Sequence, residues 1–315
     1  MVEQLSVRSN HHRSELVAEF GPTLEFDREL APLTTFNTGG RAGLFLEVDS
    51  AQLLARAIKA ARRLKLPYFV IGGGSNLLVS DDGFDSLIIR VAIGGLSLAG
   101  ENEIVCGAGE DLMALVDFAT ENSLTGLEFA AGIYGTVGGA IYGNAGAYGG
   151  EIKDVLTGLT LVDPEGEMKT VEPDYCRFGY RDSYLKTTKE IVVDARFRLA
   201  PGEGVAIKGR VDDILSSRAA KHPQEGQTCG CFFKNLIDPK EEYGKLPAGR
   251  LLEEAGAKGM SVGGARVYDN HANMIINTGK ATSKDIRQLA DILIKKVRDK
   301  FGITLEEEVI QIGNF

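Results

Sequence analysis

The sequence predicts a mixed α+β fold divided into more than one domain. The chain has 315 residues, a length beyond which a single hydrophobic core ordinarily stops growing. Hydrophobic residues make up 43% of the chain and charged residues 25%, which is typical of globular proteins. Apolar segments of helical period and short extended segments follow one another along the chain, so we expect both helices and strands.

In the first half of the chain, predicted helices and strands alternate. Residues 53–64 have apolar side chains at helical spacing and end before Leu66-Pro67, which predicts a helix and its stop. Tyr68–Ile71 predicts a short buried strand that leads directly into Gly72-Gly73-Gly74. The other elements predicted for this half are strands at 86–91 and 103–106 and an amphipathic helix at Leu112–Glu121.

The segment 132–150 is the richest in glycine. Eight of its residues are glycine, a composition that suits neither a stable helix nor a continuous strand. The sequence therefore predicts an ordered loop region here.

In the second half, residues 157–162 and Met168–Val171 flank a Pro164-Glu165-Gly166 turn and predict a hairpin. An alternating strand is predicted at 191–199, and a domain boundary follows at 200–204. Further elements are helices at 211–219 and 248–255, the second closed by Gly256, with a loop or short strand at 229–235. The last helix is predicted to start after an N-cap at Thr282 and to reach Gly302.

Charge and composition exclude several classes of function. The net charge of −9 and the pI near 5.2 argue against nucleic acid as a partner, because backbone binding needs a basic surface. The sequence has no apolar run long enough to insert into a membrane, and residues 1–13 lack the apolar core of a secretory signal, so we expect a cytoplasmic protein. Four cysteines are too few for a disulfide framework, and Cys229-Gly230-Cys231 does not predict a metal site.

The Gly72-Gly73-Gly74-Ser75-Asn76 loop is a candidate phosphate site. It follows a predicted strand, where unhindered backbone N–H groups can converge on phosphate oxygens. It is neither a Walker motif nor G-x-G-x-x-G, and by itself a plain turn explains it as well. The second glycine-rich segment, 132–150, favours nucleotide binding because two such loops can enclose a pyrophosphate.

Eight ordered blocks carry a resemblance to a known family. They are Asn37-Thr38-Gly39-Gly40, residues 72–79, Gly107-Ala108-Gly109, residues 132–150, 179–183 and 231–235, Gly263-Gly264-Ala265 with His271-Ala272-Asn273, and residues 305–309. In these blocks the chain resembles the UDP-N-acetylenolpyruvoylglucosamine reductase family nearly from end to end. It looks like the shorter of the family's two forms, which lacks an inserted tyrosine-bearing loop.

The resemblance implies a fold and a division into domains. Residues 37–200 would form an FAD-binding domain of the vanillyl-alcohol oxidase (PCMH) type, and residues 201–315 a smaller α+β substrate-binding domain with a C-terminal catalytic tail. Residues 1–36 would pack on the FAD domain. FAD would be held noncovalently, NADPH would be the hydride source, and a UDP-sugar would be the substrate.

The implied reaction is reduction of the enolpyruvyl ether of UDP-N-acetylglucosamine to the lactyl ether, giving UDP-N-acetylmuramate for peptidoglycan precursor synthesis. By resemblance, Arg181 and Glu308 polarise the substrate carboxylate, and Cys231 donates a proton to the α carbon. Glu308 must be protonated for this role, which a desolvating pocket would favour. Without the family, the sequence favours a surface ion pair for Arg181-Asp182 and a solvated acidic segment for residues 306–308.

The same resemblance assigns ligand contacts. The cofactor-binding residues would be Gly72, Gly73, Gly74, Ser75, Asn76, Gly132, Thr136, Gly138, Gly139, Asn144, Gly146 and Ala147. The substrate-binding residues would be Lys221, Lys234, Asn235, His271 and Asn273. Lys221 and Lys234 otherwise read as ordinary surface lysines.

The sequence departs from the family pattern at three positions. Cys231 stands where the family usually has a serine; its thiol is a stronger acid than an alcohol and can donate the proton only while it remains protonated. Cys229 fits the alternative role of a small buried side chain better than Cys231 does. Tyr134 stands where proline is common, and Ile310 replaces an arginine, which removes one flavin contact.

Two alternatives remain from the sequence. The first is a flavin oxidase of the same fold; a histidine-linked flavin in the FAD domain is excluded, because no histidine lies between His12 and His222. The second is a nucleotide-binding protein without enzymatic activity, which would keep the glycine loops but have no use for Arg181, Cys231 and Glu308.

Overall fold

The computed structural model describes residues 10–223, 227–241 and 244–315, with the side chains of residues 10–12 left aside. Residues 1–9, most of the segment that we predict is not a secretory signal, lie outside the described residues. The described residues form helices α1 Asn10–Phe20, α2 Ala51–Arg63, α3 Leu112–Glu121, α4 Val137–Tyr142, α5 Leu185–Thr188, α6 Gly204–Lys221, α7 Ala248–Glu254 and α8 Ser283–Phe301.

The strands are short. They are β1 Leu24–Glu29, β2 Arg41–Val48, β3 Tyr68–Ile71, β4 Leu77–Val79, β5 Phe84–Val91, β6 Leu96–Leu98, β7 Glu103–Gly107, β8 Leu124–Thr125, β9 Gly146–Ala147, β10 Gly150–Glu151, β11 Leu156–Val162, β12 Met168–Val171, β13 Ile191–Arg198, β14 Ala200–Pro201, β15 Leu236–Ile237, β16 Lys245–Leu246, β17 Ser261–Val262, β18 Ala265–Val267, β19 Ile275–Asn277 and β20 Ile310–Ile312. This mixture of helices and strands confirms the predicted α+β class.

The chain divides into two compact units, which interleave in sequence. Unit 1 comprises Met1–Arg28, Gly43–Gly73 and Asp85–Arg218. Unit 2 comprises Glu29–Ala42, Gly74–Phe84 and Ala219–Phe315. The division into 1–36, 37–200 and 201–315 that we predict stays a prediction; the units place α6 up to Arg218 with the preceding residues and two short N-terminal segments with the C-terminal third.

Unit 1 is built on two sheets. One has the strand order β1-β2-β5-β3, with β3 parallel to β5, and the other is antiparallel with the order β12-β11-β13-β7-β6. The predicted hairpin is confirmed, because β11 and β12 pair from Leu159 with Val171 to Val162 with Met168. A single apolar cluster fills the unit, and Leu16, Ile58, Leu115 and Phe197 are among its fully buried members.

The helices of unit 1 follow from local sequence. Helix α2 starts after Ser50, whose hydroxyl accepts a hydrogen bond from the N–H of Leu53, and it buries one apolar face. Helix α3 starts after Asp111, whose carboxylate accepts hydrogen bonds from the N–H groups of Met113 and Ala114. Both caps satisfy amide groups that a helix start leaves without partners.

The predicted loop at 132–150 is partly wrong, because helix α4 lies inside it. Thr136 caps this helix, and its first amide groups bond to the carbonyls of Glu110 and Ala108 from an earlier loop. Val137, Ala140 and Ile141 are buried in the core of unit 1. Tertiary contacts therefore stabilise a helix that its glycine content disfavours.

Unit 2 combines short strands with one long helix. Strands β17, β18 and β19 form an antiparallel sheet, and β20 runs parallel to β4 with Ile310 opposite Leu77. Helix α8 starts after the predicted N-cap Thr282, which exchanges side-chain and backbone hydrogen bonds with Asp285 in a capping box, and it ends at Gly302 with φ +71°. Its apolar face lies in the second core cluster with Phe232 and Phe233.

Candidate functional site

In unit 1, the two glycine-rich segments lie against each other. A Cβ atom on Gly72 would lie 2.3 Å from the hydroxyl oxygen of Thr136, and one on Gly73 would lie 3.0 Å from the Cα atom of Gly135. Gly73 and Gly139 are exposed, so ligand atoms can reach the backbone at both segments. A close approach of two backbones that leaves no room for side chains suits the phosphates of a dinucleotide.

The rest of the first glycine loop belongs to unit 2. Gly74 has φ +66°, and a Cβ there would lie 1.8 Å from the carbonyl oxygen of Leu33. Its own carbonyl accepts a hydrogen bond of 3.2 Å from the N–H of Thr35, and the carbonyl of Ser75 lies 3.5 Å from the Thr35 hydroxyl. The Nδ2 group of Asn76 donates to the backbone carbonyl of Glu308 at 3.0 Å, and the Asn76 carbonyl accepts from the N–H of Ile310.

Other residues predicted to contact the cofactor have structural partners within unit 1. The N–H of Gly138 bonds to the Ala108 carbonyl, and a Cβ there would lie 2.9 Å from the Cβ of Ala108. Gly132 has φ +71° and packs against the side chain of Arg218. Gly146 and Ala147 form β9, which pairs with β10.

Asn144 is also among these residues, and its side chain is buried. Its Nδ2 group donates to the Glu151 carboxylate and to the Gly179 carbonyl, both at 2.9 Å, and its Oδ1 accepts from the N–H of Lys153. The residue is 1% exposed, so its amide is occupied by protein groups.

Arg181 lies in a tight turn of unit 1. Gly179 and Asp182 exchange two backbone hydrogen bonds across the turn, at 3.0 and 3.3 Å, and Arg181 adopts φ +53°. Left-handed backbone is costly for a residue other than glycine and persists only where neighbouring groups enforce it. The carbonyl of Arg181 accepts a hydrogen bond of 2.5 Å from Lys186, and the buried hydroxyl of Ser183 donates to the Tyr142 carbonyl at 2.7 Å.

In unit 2, the structure brings Cys231 and Glu308 together. The N–H of Glu308 donates to the carbonyl of Phe232 at 2.8 Å, which places residues 306–308 beside the segment that contains Cys231. On the other side, Cys231 pairs with Met274. Asn273 fixes this second side, because its side chain accepts from the N–H of Phe233 at 2.9 Å and donates to the Phe233 carbonyl at 2.8 Å.

The two cysteines of the C-x-C sequence have different environments. Cys229 packs against the core cluster of unit 2, and burial, with a smaller contribution from Cys231 and Glu308, raises its pKa well above the ordinary value for a thiol. Gly230 between them has φ +82°. Cys231 lines a pocket of about 540 Å³, which Cys229 does not. All four cysteines are free thiols.

The pocket contains three of the five residues predicted to bind the substrate. These three are Asn235, His271 and Asn273. Besides them and Cys231, the pocket is lined by Pro247, Gly249, Arg250, Glu253, Glu254, Asn270 and Ala272. Neither Lys221 nor Lys234 lines it: Lys221 is exposed at the end of α6, and the ammonium of Lys234 forms an ion pair with Glu306. Asn235 accepts a hydrogen bond of 3.1 Å from the N–H of Ala248, where α7 begins.

His271 has the most unusual environment in this pocket. Its Nδ1 atom is buried and has no hydrogen-bond partner among the residues that the structure describes. Burial chiefly lowers the pKa of its imidazole, and the positive charge of Lys221 lowers it further. A neutral ring with a polar atom left over can bond to a ligand group in the pocket.

Sequence reasoning missed part of this pocket. Arg250, Glu253 and Glu254 lie on α7, and Asn270 precedes His271, yet no motif marks them. Arg250 also forms an ion pair with Glu241, which no sequence motif indicates.

In the described part of the chain, no group of three or more His, Cys, Asp or Glu residues could hold a metal ion. No described helix is long and apolar enough to cross a membrane.

Two family models and several curated relatives match this chain. The FAD binding domain family matches residues 42–172, and the C-terminal domain of UDP-N-acetylenolpyruvoylglucosamine reductase matches residues 222–312. The UDP-N-acetylenolpyruvoylglucosamine reductase of Levilactobacillus brevis is 40% identical over 91% of this chain and 92% of its own length.

Solved structures give the same result. The crystal structure of UDP-N-acetylenolpyruvylglucosamine reductase from Thermus caldophilus has a TM-score of 0.77 and 33% identity over 92% of this chain and 98% of that chain. The wild-type glucose dehydrogenase Phl p 4.0202 has a TM-score of 0.50 and 17% identity over 68% of this chain and 50% of that chain, and this likeness shows the shared fold.

The fold and the family matches define an FAD-dependent oxidoreductase with an FAD-binding domain of the PCMH type. Within that class, the chain belongs to the UDP-N-acetylenolpyruvoylglucosamine reductase family. The family resemblance, the fold class and the cofactor predicted from the sequence are therefore confirmed.

Proposed function

We propose that this protein reduces the enolpyruvyl ether of UDP-N-acetyl-3-O-(1-carboxyvinyl)-glucosamine to UDP-N-acetylmuramate, with NADPH as the hydride source. The observation that carries the proposal is the backbone pairing of the Cys231 and Glu308 segments, with Cys231 lining the pocket of unit 2. It places a thiol and a carboxyl group in the same part of unit 2. NADPH and UDP-sugars are cytoplasmic metabolites, and we place the reaction in the cytoplasm.

The reaction creates a specific electrostatic demand. FAD, when bound, supplies a hydride to the vinyl β carbon of the substrate. The electron pair of the double bond then moves onto the α carbon and its carboxylate, so cationic or acidic groups must stabilise it there. The α carbon finally needs one proton, which completes the addition of two hydrogen atoms across the double bond.

Three residues of this chain supply these groups in our proposal. The Arg181 guanidinium binds the substrate carboxylate, and Glu308, as a carboxylic acid, donates a hydrogen bond to it. Cys231 protonates the α carbon, and the thiolate regains a proton from solvent. Asn235, His271 and Asn273 lie at the pocket and would orient the sugar nucleotide, with Lys221 and Lys234 as cationic contacts for its diphosphate.

For the cofactor, Gly72 and Gly73 with the start of α4 would hold the FAD phosphates. The fit rests on the 2.3 and 3.0 Å approaches that any Cβ at these glycines would make. Gly132, Gly138, Gly139, Gly146 and Ala147 would shape the same region through their packing.

The test uses purified holoenzyme without oxygen. We expect NADPH to bleach the flavin absorbance and the enolpyruvyl sugar nucleotide to restore it, with one lactyl product formed for each NADPH consumed. If only oxygen restores the flavin colour, the protein is an oxidase and the proposal is wrong. A control with UDP-N-acetylglucosamine, which has no vinyl group, should leave the flavin reduced.

A further inference from the structure

Three asparagines each bond to the backbone beside one of the three proposed catalytic residues. Asn144 donates to the carbonyl of Gly179, two residues before Arg181. Asn76 donates to the carbonyl of Glu308 itself. Asn273 bonds to both backbone groups of Phe233, two residues after Cys231.

We infer that Asn144, Asn76 and Asn273 are positioning residues that fix the backbones of Arg181, Glu308 and Cys231, and that Asn144 contacts no ligand. The inference rests on the proposed function, because it takes the roles of those three residues from there. The pair that the structure defines best is Asn144 and Arg181, both in unit 1.

Both N–H donors of the Asn144 amide are taken by protein groups, and its oxygen also accepts from one. Its two N–H groups go to the Glu151 carboxylate and the Gly179 carbonyl, and its oxygen accepts from Lys153. Asn144 is 1% exposed, so a variant that lacks the amide would lose these bonds at a position that water does not reach. The side chain therefore acts on the protein, although it lies in the glycine-rich segment that predicts a cofactor site.

The turn that Asn144 holds needs such support. Arg181 has φ +53°, and two backbone bonds between Gly179 and Asp182 close the turn. Asn144 bonds to the turn just before Arg181, and Ser183 bonds to the Tyr142 carbonyl just after it. Both bonds join the turn to residues 142–144, which fixes the direction in which the guanidinium leaves the backbone.

The decisive variant is Asn144→Gly, which removes the amide and tolerates the φ of +44° at this position. We expect the rate of flavin reoxidation by the enolpyruvyl substrate to fall about 100-fold, because a small misplacement of a catalytic group costs about that much. FAD affinity and flavin reduction by NADPH should stay at wild-type values. In an Arg181→Ala background, Asn144→Gly should cause no further loss.

The matched control is Asn122→Gly, which also removes a hydrogen bond from an asparagine side chain to the backbone in unit 1, here to Phe118. It should leave both half-reactions unchanged. If Asn144→Gly does not fold, Ser183→Ala tests the other attachment of the turn with the same readouts. The same test in unit 2 combines Asn76→Ala with Glu308→Gln, and Asn273→Ala with Cys231→Ala. In each pair, the asparagine variant should cause no further loss in the background of the other variant.

Weakened FAD binding or a slower NADPH step in Asn144→Gly would overturn the inference, because a cofactor contact would produce either. A loss that persists in full in the Arg181→Ala background would also overturn it. Failure of the proposed function looks different: in that case wild-type reduced flavin is not reoxidised by the enolpyruvyl sugar nucleotide.

Discussion

The two regions that contain the proposed catalytic residues are built differently. In unit 1, Arg181 lies in a left-handed turn that side chains attach to the rest of the unit. In unit 2, Cys231 and Glu308 lie on backbone segments that bond directly to each other. Backbone pairing survives most substitutions, whereas a turn held by side chains depends on those particular residues. The arginine should therefore be the more easily displaced group.

The largest effect should come from Arg181→Ala. Removing one charged group that stabilises a developing negative charge costs about 100- to 1000-fold in rate, and we expect flavin reoxidation by the substrate to slow by that factor. Stopped-flow absorbance measures this step apart from reduction by NADPH, which should be unchanged. Arg177→Ala removes an exposed arginine that also has positive φ, at +42°, and should keep wild-type rates. Equal losses in both variants would mean that Arg181 acts only through folding.

The second effect tests the paired segments of unit 2. Cys231→Ala should slow substrate-driven reoxidation about 100-fold, within the usual range for loss of a general acid, while Cys231→Ser should keep most of the rate. In the wild type this step should also slow at alkaline pH as the thiol ionises, and in Cys231→Ser it should not.

Cys229→Ala is the control for that prediction. Cys229 packs against the core, and burial raises the pKa of its thiol well above the ordinary value, so it stays protonated and away from the pocket. If Cys229→Ala abolished reoxidation and Cys231→Ala did not, Cys229 would be the proton donor and the assignment of Cys231 would be wrong.

How much of this could be predicted from the sequence depends on the range of the contacts. Tyr68–Ile71 and Leu112–Glu121 agree with the observed elements to the residue, because local apolar periodicity determines them. Helix α4 was missed, because its stability comes from Thr136 and from the carbonyls of an earlier loop. Helix α6 begins at Gly204, well before the predicted residue 211, because only Ile207 and Val211 are buried and the apolar pattern is weak.

The candidate site shows the same limit. The glycine loop after β3 could be predicted because a strand and consecutive glycines are local features. The partner of Asn76 lies 232 residues away and that of Asn144 lies 35 residues away, so no motif shows that these amides bond to backbone carbonyls. Residue type alone cannot separate a ligand contact from a structural one.

A third prediction concerns the glycine loops of unit 1. Gly72→Ala would place a methyl group 2.3 Å from the Thr136 hydroxyl and push the two segments apart, so we expect weaker FAD binding by about 10-fold or more, measured by flavin fluorescence. Gly209→Ala is the control, because a methyl on this α6 residue meets nothing within 4 Å. It should raise the free energy of unfolding by about 0.5–1 kcal/mol and leave FAD binding unchanged. Normal FAD affinity in Gly72→Ala would show that the close approach does not serve the cofactor.

The smallest effect concerns His271 and the pH dependence of stability. Burial lowers the pKa of His271 in the folded protein, whereas an unfolded chain has a histidine pKa of about 6.5. Between these two pKa values the unfolded state binds more protons than the folded state. The free energy of unfolding should therefore increase with pH in this range and decrease as pH falls below about 6.5.

One such group gives a slope of at most about 1.4 kcal/mol per pH unit, and His271→Asn should remove this contribution from thermal denaturation curves at pH 5 to 7. His222→Asn changes the neighbouring ring, 6.4 Å away, and should keep the wild-type slope. If His271→Asn keeps that slope as well, the imidazole is hydrated in the free protein, and the pocket of unit 2 is as open to water as an ordinary surface.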